Sequence, residues 1–134
     1  MINRKVYSEL SLVVHEVVGE LSADDFREAG VALYELDPVP PFSLWDLTHA
    51  SVAEYDIDKI RRLQHEVAGI AKGREGGRTA VVAPTDLTFG IVRQYLALIE
   101  SAQLPFEHNV FRTKAEAVSW LGLEMDSLGP PPAG

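Results

Sequence analysis

Residues 78–90 read RTAVVAPTDLTFG, and this stretch decides the fold. It begins with a short apolar run, 79–83, which is apolar on both faces of a strand and therefore typical of a parallel sheet buried between helices. Pro84 ends the run because proline has no amide hydrogen to donate, and polar Thr85 and Asp86 suit the start of a helix. The stretch predicts a buried strand that leads directly into a helix, the unit of an α/β fold.

The rest of the chain repeats this alternation of strand and helix. Alternating apolar residues predict a strand or hairpin over 6–18, and further strands are predicted at 43–47 and 105–111. Helical spacing of apolar residues predicts four helices, at about 23–35, 57–70, 86–103 and 113–121. The predicted order is therefore ββαβαβαβα, with a mostly parallel sheet and about four helices.

Length and composition favour one domain. A chain of 134 residues falls in the size range of a single domain. Residues 1–122 are predicted to form that domain. Residues 123–134 end in GPPPAG and are predicted to form a flexible Pro/Gly tail.

The charge and residue usage exclude several classes of protein. The formal net charge of −8 disfavours non-specific binding to nucleic acid or to an anionic membrane. No cysteine is present, which excludes disulfides, thiolate metal sites and cysteine nucleophiles. No apolar run approaches the length of a membrane span, and the first residues lack the apolar core of a secretory signal. These features predict a cytoplasmic protein with no membrane span.

Partial motifs for metal, phosphate and acyl chemistry are all incomplete. His15 and His65 each precede glutamate, as in HExxH, but Gly19 and Gly69 replace the second histidine. The glycine-rich segment 72–78 follows a predicted helix and precedes a strand, opposite to a phosphate-binding loop, and is predicted to be a solvated crossover. No GxSxG elbow occurs. We therefore predict no catalytic residue, no metal and no cofactor.

The candidate ligand- or partner-binding residues follow two neighbouring predicted strands. They are Asp46, Thr48, His49, Ser51, Thr85 and Asp86. In an open α/β sheet the carboxyl ends of the strands form the ligand-binding edge, and a helix start there offers free N–H groups to an anion or a partner loop. The alternative is structural, because Thr85 or Asp86 can cap a helix and Asp46 can accept hydrogen bonds from nearby backbone.

Several of these segments resemble the SpoIIAA-like group of STAS domains. They are DLTHAS at 46–51, RTAVVAPTDL at 78–87, VFR at 110–112 and EAVSWL at 116–121. The resemblance extends over about 6–121 and implies a mixed sheet with an antiparallel first strand and helices packed on it. That family includes phosphorylation-controlled sigma-factor antagonists, modules of anion transporters and small bacterial proteins of unknown role, and its fold is related to CRAL-TRIO lipid carriers.

The chain departs from the family at its regulatory motif. The antagonists carry Asp-Ser-Ser-Gly at the start of the helix that follows the Asp-Leu strand, and a serine there is phosphorylated. An ungapped match places residues 54–57, EYDI, in that position, with Asp56 in place of the regulated serine. Ser51 is the nearest hydroxyl, with Thr48 behind it. The resemblance therefore implies a module whose permanent negative charge at Asp56 fixes one signalling state.

Three functional hypotheses follow from the sequence. The first is a non-enzymatic regulatory or protein-interaction module of STAS type, without the phosphorylatable motif. The second is a binder of a small apolar, lipid-like or anionic ligand at the carboxyl edge of the strands. The third is an enzyme without a recognisable motif, which would require Asp46, His49 and Thr85 to converge in a cleft. A homodimer is also expected, because a first strand at the sheet edge leaves polar groups to cover.

Overall fold

The computed structural model describes residues 1–52, 58, 61–62, 65–66, 74–100, 104 and 106–128. Its centre is a five-stranded sheet in the order β1-β2-β3-β4-β5. The strands are β1 (Ile2–Tyr7), β2 (Leu12–Leu21), β3 (Phe42–Val52), β4 (Arg78–Val82) and β5 (Glu107–Phe111). The helices within the described residues are α1 (Ala23–Leu33), α2 (Asp86–Glu100) and α3 (Lys114–Trp120).

The strand directions confirm the predicted mixed sheet. β1 runs antiparallel to β2, and every later neighbour pair is parallel. The chain reverses between β1 and β2 through a short 3-10 turn, Ser8–Leu10, followed by Ser11 in the left-handed region with φ 53°. The parallel pairs need crossover connections, which explains why helices alternate with the later strands.

The number of helices differs from the prediction. The described part of the chain contains three α-helices rather than about four. Most of the helix predicted at 57–70 lies outside the described residues, although Asp58 and the pairs 61–62 and 65–66 are helical. No helix within the described residues is long and apolar enough to cross a membrane.

Two hydrophobic cores lie on opposite faces of the sheet. One face packs against α3, and its buried residues are Leu12, Val14, Leu44, Ala80, Val82, Ala117, Val118, Leu121 and Leu128. The other, which we call the α1/α2 face, buries Val17, Leu21, Trp45, Leu47, Val81, Ala83, Val92, Leu96 and Val110. Alternate residues of the inner strands enter opposite cores, which is why β4 is apolar on both faces.

Side-chain caps fix the starts of two helices. Ser22 forms a capping box with Asp25 at the start of α1, with its hydroxyl 3.1 Å from the Asp25 amide nitrogen. Thr113 accepts a hydrogen bond from the Glu116 amide at 3.2 Å at the start of α3. Each cap satisfies a backbone N–H that has no partner inside the helix. Both starts agree with the sequence prediction.

The described part of the predicted flexible tail, 123–128, packs on the domain. Met125–Leu128 forms a 3-10 turn, and Leu128 is buried in the core beside α3. The Tyr7 hydroxyl donates to the Leu128 carbonyl at 3.2 Å. The prediction of a flexible tail from residue 123 onward was therefore wrong for 123–128. Leu123 and Leu128 make apolar contacts with the core, and these contacts hold the segment on the domain. Residues 129–134 lie outside the described residues.

Gly77 lies at the start of β4, where the backbone of the crossover comes close to the backbone of Pro41. Its amide donates to the Arg74 carbonyl at 2.9 Å, and the following amide of Arg78 donates to the Pro41 carbonyl at 3.0 Å. A Cβ atom at position 77 would lie 2.2 Å from the Pro41 oxygen and 2.9 Å from the Arg74 oxygen. Both obstacles are backbone atoms, so the crossover must move to admit any side chain.

Replacing Gly77 by alanine should therefore destabilise the fold by about 2 kcal/mol or more. Gly90 is the matched control, because it lies on the exposed side of α2 and a Cβ atom added there would meet no atom within 4 Å. Gly90→Ala should stabilise by about 0.5–1 kcal/mol, because alanine favours helices. Urea unfolding measures both values. Equal effects of the two substitutions would contradict the close approach.

Candidate functional site

The predicted site residues lie where β3 extends beyond its neighbour. Pairing between β3 and β4 ends at Asp46 opposite Val82, whereas pairing between β2 and β3 continues to Leu21 opposite Val52. The prediction ended this strand at Leu47 and placed the later site residues in a loop. They instead belong to β3 itself, and three of them, Thr48, His49 and Ser51, are exposed there.

Asp46 stabilises a β-bulge in this part of β3. The register is Glu16 opposite Asp46 and then Val18 opposite His49, so β3 carries one extra residue. The Asp46 side chain, in a residue only 9% exposed, accepts hydrogen bonds from the Thr48 amide at 3.0 Å and from the Thr48 hydroxyl at 2.5 Å, both at Oδ1. The carboxylate thus supplies partners for groups that the bulge removes from the regular ladder.

The basic side chains near this end of the sheet contact carboxylates of the same chain. Lys114, the first residue of α3, places its Nζ 4.0 Å from Asp46 Oδ2. Arg112 Nη1 lies 2.6 Å from Asp86 Oδ1, and the guanidinium also stacks on Phe89, 4.1 Å from the ring centroid. An added anion would compete with these carboxylates for both cations.

Thr85 has the structural role that the sequence left as an alternative. Its hydroxyl accepts a hydrogen bond from the Thr88 amide at 3.2 Å, and its carbonyl accepts from the Phe89 amide at 2.9 Å. These are the bonds of a helix N-cap. Asp86 begins α2 and is exposed, joined to Arg112.

The structure therefore brings together only part of the predicted site. Asp46 and Thr48 are hydrogen-bonded to each other, while Thr85 and Asp86 lie at the start of α2. Asp56, the position implied by the family motif, lies outside the described residues. Within the described part of the chain, no group of three or more histidine and acidic side chains is placed to hold a metal ion.

Sequence reasoning missed a buried arginine at the opposite end of the sheet. Arg74 is only 2% exposed, although the segment 72–78 was predicted to be a solvated crossover. Its Nε donates to the Pro40 carbonyl at 3.2 Å, and its Nη2 lies 3.1 Å from the Pro41 carbonyl and 2.9 Å from the Thr79 hydroxyl. The sequence feature that could have indicated a buried polar partner is the pair Ser43 and Thr79, which stands at the start of two apolar strands.

His15 is buried beside this arginine. It is fully buried on β2 and stacks on Trp45 of β3, with ring centroids 4.1 Å apart. Burial lowers its pKa to about 4, and the positive charges of Arg4 and Arg74 act in the same direction. The imidazole is therefore neutral near pH 7 and serves as an aromatic core residue.

Replacing Asp46 by alanine should destabilise the protein by about 1 kcal/mol, because the part-buried amide and hydroxyl of Thr48 lose their acceptor at the bulge. Asp86→Ala is the matched control, since its ion pair is exposed and should change stability by less than about 0.5 kcal/mol. Guanidinium unfolding measures the difference. Equal losses of unfolding free energy from both substitutions would show that the Asp46 carboxylate stabilises the bulge no more than an exposed ion pair does.

His15 should make the fold sensitive to mild acid. The unfolded chain binds the His15 proton near pH 6.5, but the folded chain binds it only near pH 4, so stability falls as pH decreases through this window. The loss should be about 3 kcal/mol at the lower end. His15→Phe keeps an aromatic ring and should flatten the pH dependence, whereas His49→Phe on the exposed surface should not. An unchanged slope in His15→Phe would refute this assignment.

Two solved structures share this architecture over nearly the whole chain. An uncharacterised Shewanella loihica protein of the DUF3478 family, with a SpoIIAA-like fold, aligns with a TM-score of 0.53 at 19% identity, covering 90% of this chain and 92% of its own. The anti-sigma factor antagonist SpoIIAA in its unphosphorylated form aligns with a TM-score of 0.52 at 14% identity, covering 91% and 98%. No family model and no curated protein sequence matches the chain. The chain has a SpoIIAA-like fold.

Proposed function

We propose that this chain is a non-enzymatic regulatory or protein-interaction module of STAS type, without the phosphorylatable Asp-Ser-Ser-Gly motif. The observation that carries the proposal is the state of the carboxyl end of the sheet. The buried Asp46 carboxylate stabilises a β-bulge, and Thr85 caps a helix. Both side chains therefore stabilise the backbone of this surface, and neither is free to act as a reactive group on a substrate.

The surface offered to a partner comprises His49, Ser51, Thr85, Asp86 and Leu87, and we call it the carboxyl-end surface. All five residues are exposed, and Leu87 is 75% exposed on the first turn of α2. Small-molecule sites are concave and bury most of their ligand. A surface spread over a projecting strand and a helix start suits a protein partner better than a small ligand.

The fold supports this choice. SpoIIAA, which shares this fold over 98% of its own length, is an anti-sigma factor antagonist. We propose a comparable regulatory role for this chain, acting as a cytoplasmic homodimer. The alternative of an anionic ligand at this end is less favoured because Lys114 and Arg112 already contact Asp46 and Asp86.

Asp56 is part of the same proposal as the residue that fixes the signalling state. A permanent negative charge near a helix start is electrostatically favourable and resembles a phosphorylated serine in sign. Serine at this position would remove the charge and create an acceptor for a kinase. The proposed module is therefore locked in one state until residue 56 is changed.

Affinity capture from the organism that encodes the chain tests the proposed surface. Leu87→Glu should weaken a stoichiometric partner at least about tenfold, since exposed apolar anchors contribute strongly when they become buried in an interface. Val6→Glu, on exposed β1, is the matched control because Val6 is also an exposed apolar residue, at 45%. Partners that respond equally to both substitutions, or no stoichiometric partner, would contradict the proposal.

The same capture with Asp56→Ser tests the switch. A partner gained or lost relative to the wild-type chain is expected if residue 56 sets the signalling state. Thermal unfolding checks that the variant remains folded. Identical partner sets for two folded proteins would refute the switch while leaving the carboxyl-end surface to be judged by the Leu87 variant.

A further inference from the structure

Strand β1 lies at one edge of the sheet and directs backbone groups into solvent. Met1 and Val18 each donate to the other's carbonyl at 2.9 Å, so they form a hydrogen-bonded pair of the antiparallel ladder. Such pairs alternate along a ladder with pairs that are not hydrogen-bonded. The register therefore directs the N–H and C=O groups of Ile2, Arg4 and Val6 away from β2. Within the described residues, no second strand pairs with this outer edge.

The opposite edge of the sheet is protected by a side chain. In β5 the Glu107 amide and the Phe111 carbonyl bond toward the neighbouring strand, so the backbone groups of Val110 point outward. The Asn109 Oδ1 accepts a hydrogen bond from the Val110 amide at 2.8 Å. Occupied groups of this kind make an edge a poor template for another strand. β1 has neither a proline nor a bulge, so its outward groups are open to a further strand.

Positive charge is concentrated at the middle of β1, although the chain as a whole has a net charge of −8. Arg4 and Lys5 are both exposed and point to opposite faces of the sheet. Lys5 Nζ lies 4.9 Å from the centroid of the Tyr7 ring, whereas Arg4 forms no ion pair with a described residue. Arg4 lies opposite His15, whose pKa is lowered by burial and by the charges of Arg4 and Arg74. The α1/α2 side of this edge therefore favours an acidic group.

A groove lies at the start of the same edge, between β1 and α1. It has a volume of about 380 Å³ and is lined by Met1, Ile2, Asp25, Glu28 and Ala29. Ile2 and Ala29 supply apolar surface, and the exposed Asp25 and Glu28 supply negative charge. A lysine or arginine side chain suits this combination, because its methylene stem packs on apolar surface while its charge remains beside carboxylates.

A second copy of β1 is a poor occupant of this edge. Antiparallel pairing of two copies that uses the outward groups of Ile2, Arg4 and Val6 places Arg4 directly opposite the Arg4 of the second copy. Like charges directly opposite each other destabilise a sheet, and charged residues on edge strands oppose self-pairing in this way. The proposed homodimer would therefore use another surface. The edge of β1 suits a strand with complementary charges.

We propose that the outer edge of β1 binds an extended segment of a partner protein as an added antiparallel strand with the pattern apolar–x–acidic–x–basic. Alternate residues of the segment would lie opposite Val6, Arg4 and Ile2, which share the α1/α2 face. The apolar residue contacts Val6, which is 45% exposed, the acidic residue pairs with Arg4, and the basic residue enters the groove beside Ile2. Backbone hydrogen bonds supply affinity, and the three side chains supply specificity. This site is separate from the carboxyl-end surface.

Nuclear magnetic resonance with two short peptides tests the site. The peptide TVTETKT has the proposed pattern, and TVTKTET has the same composition with its two charges exchanged; both have blocked ends. TVTETKT should bind with a dissociation constant below about 1 mM and at least about tenfold more tightly than TVTKTET. It should slow hydrogen exchange at the outward amides of Arg4 and Val6, whereas the Lys5 amide is already paired with β2.

Three results of this experiment would overturn the proposal. They are no binding of TVTETKT, equal binding of both peptides, and protection that does not include Arg4 and Val6. Protection of these two amides that rises with protein concentration in the absence of peptide would show that a second copy occupies the edge, and it would overturn the proposal as well.

Substitution of Val6 by proline separates strand addition from folding. The Val6 amide points outward, so proline removes no hydrogen bond to β2 and the variant should remain folded, which thermal unfolding checks. Its affinity for TVTETKT should fall at least about tenfold, because an outward donor is lost. Val6→Ala, which keeps the amide, should lose less. Equal affinity of Val6→Pro and Val6→Ala for the peptide would refute strand addition.

Reversal of the charge at Arg4 tests the predicted pattern without a change in backbone. Arg4→Glu, at an exposed position, should bind TVTKTKT more tightly than TVTETKT, the reverse of the wild-type preference. Leu87→Glu, on the carboxyl-end surface, should bind TVTETKT as the wild type does. An unchanged preference in Arg4→Glu would refute the site, and that result is independent of whether the carboxyl-end surface has a partner.

Discussion

The buried guanidinium of Arg74 is the interaction on which the amino end of the parallel sheet depends. Parallel strands have no hairpin to set their register, so the starts of β3 and β4 need another connection. Arg74 provides it by donating to the carbonyls of Pro40 and Pro41 before β3 and to the Thr79 hydroxyl in β4. Gly77 completes the connection, because the absence of a side chain lets the crossover approach Pro41.

The two ends of the sheet consequently differ in chemistry. At the amino end, a charged side chain and neutral imidazoles are enclosed within the α1/α2 face, where electrostatic interactions are strong. At the carboxyl end, ion pairs are largely solvated and the bulge at Asp46 shapes a projecting strand. The amino end therefore contributes to the core, whereas the carboxyl end carries the exposed surface that we propose for a protein partner.

Local patterns predicted the architecture well. The apolar run that became β4 and the cap at Ser22 both rest on residues close in sequence, and the strand or hairpin predicted over 6–18 overlaps the observed β1 and β2. The Asp46–Thr48 hydrogen bonds also join near neighbours, and backbone binding by Asp46 was among the sequence alternatives. Periodicity and capping act over a few residues, so they can be recognised without the tertiary structure.

The features that sequence reasoning missed depend on distant contacts. Arg74 is buried because its acceptor at Pro40 lies 34 residues earlier, a separation that no local pattern reports. Leu128 is held by the core and by a hydrogen bond from Tyr7, near the opposite end of the chain. The extension of β3 depends on pairing with β2, which the composition of residues 48–52 does not indicate. The burial of Arg74, the packing of Leu128 and the extension of β3 all depend on contacts between residues that are distant in sequence.

Hydrogen exchange at the Arg74 side chain tests the central role of this guanidinium most directly. Nuclear magnetic resonance can follow the Nε–H proton, which in the structure donates to the Pro40 carbonyl away from solvent. The account predicts protection comparable to that of the β3 and β4 amides, because release requires opening of the sheet. Exchange as fast as that of a solvent-exposed arginine would contradict it.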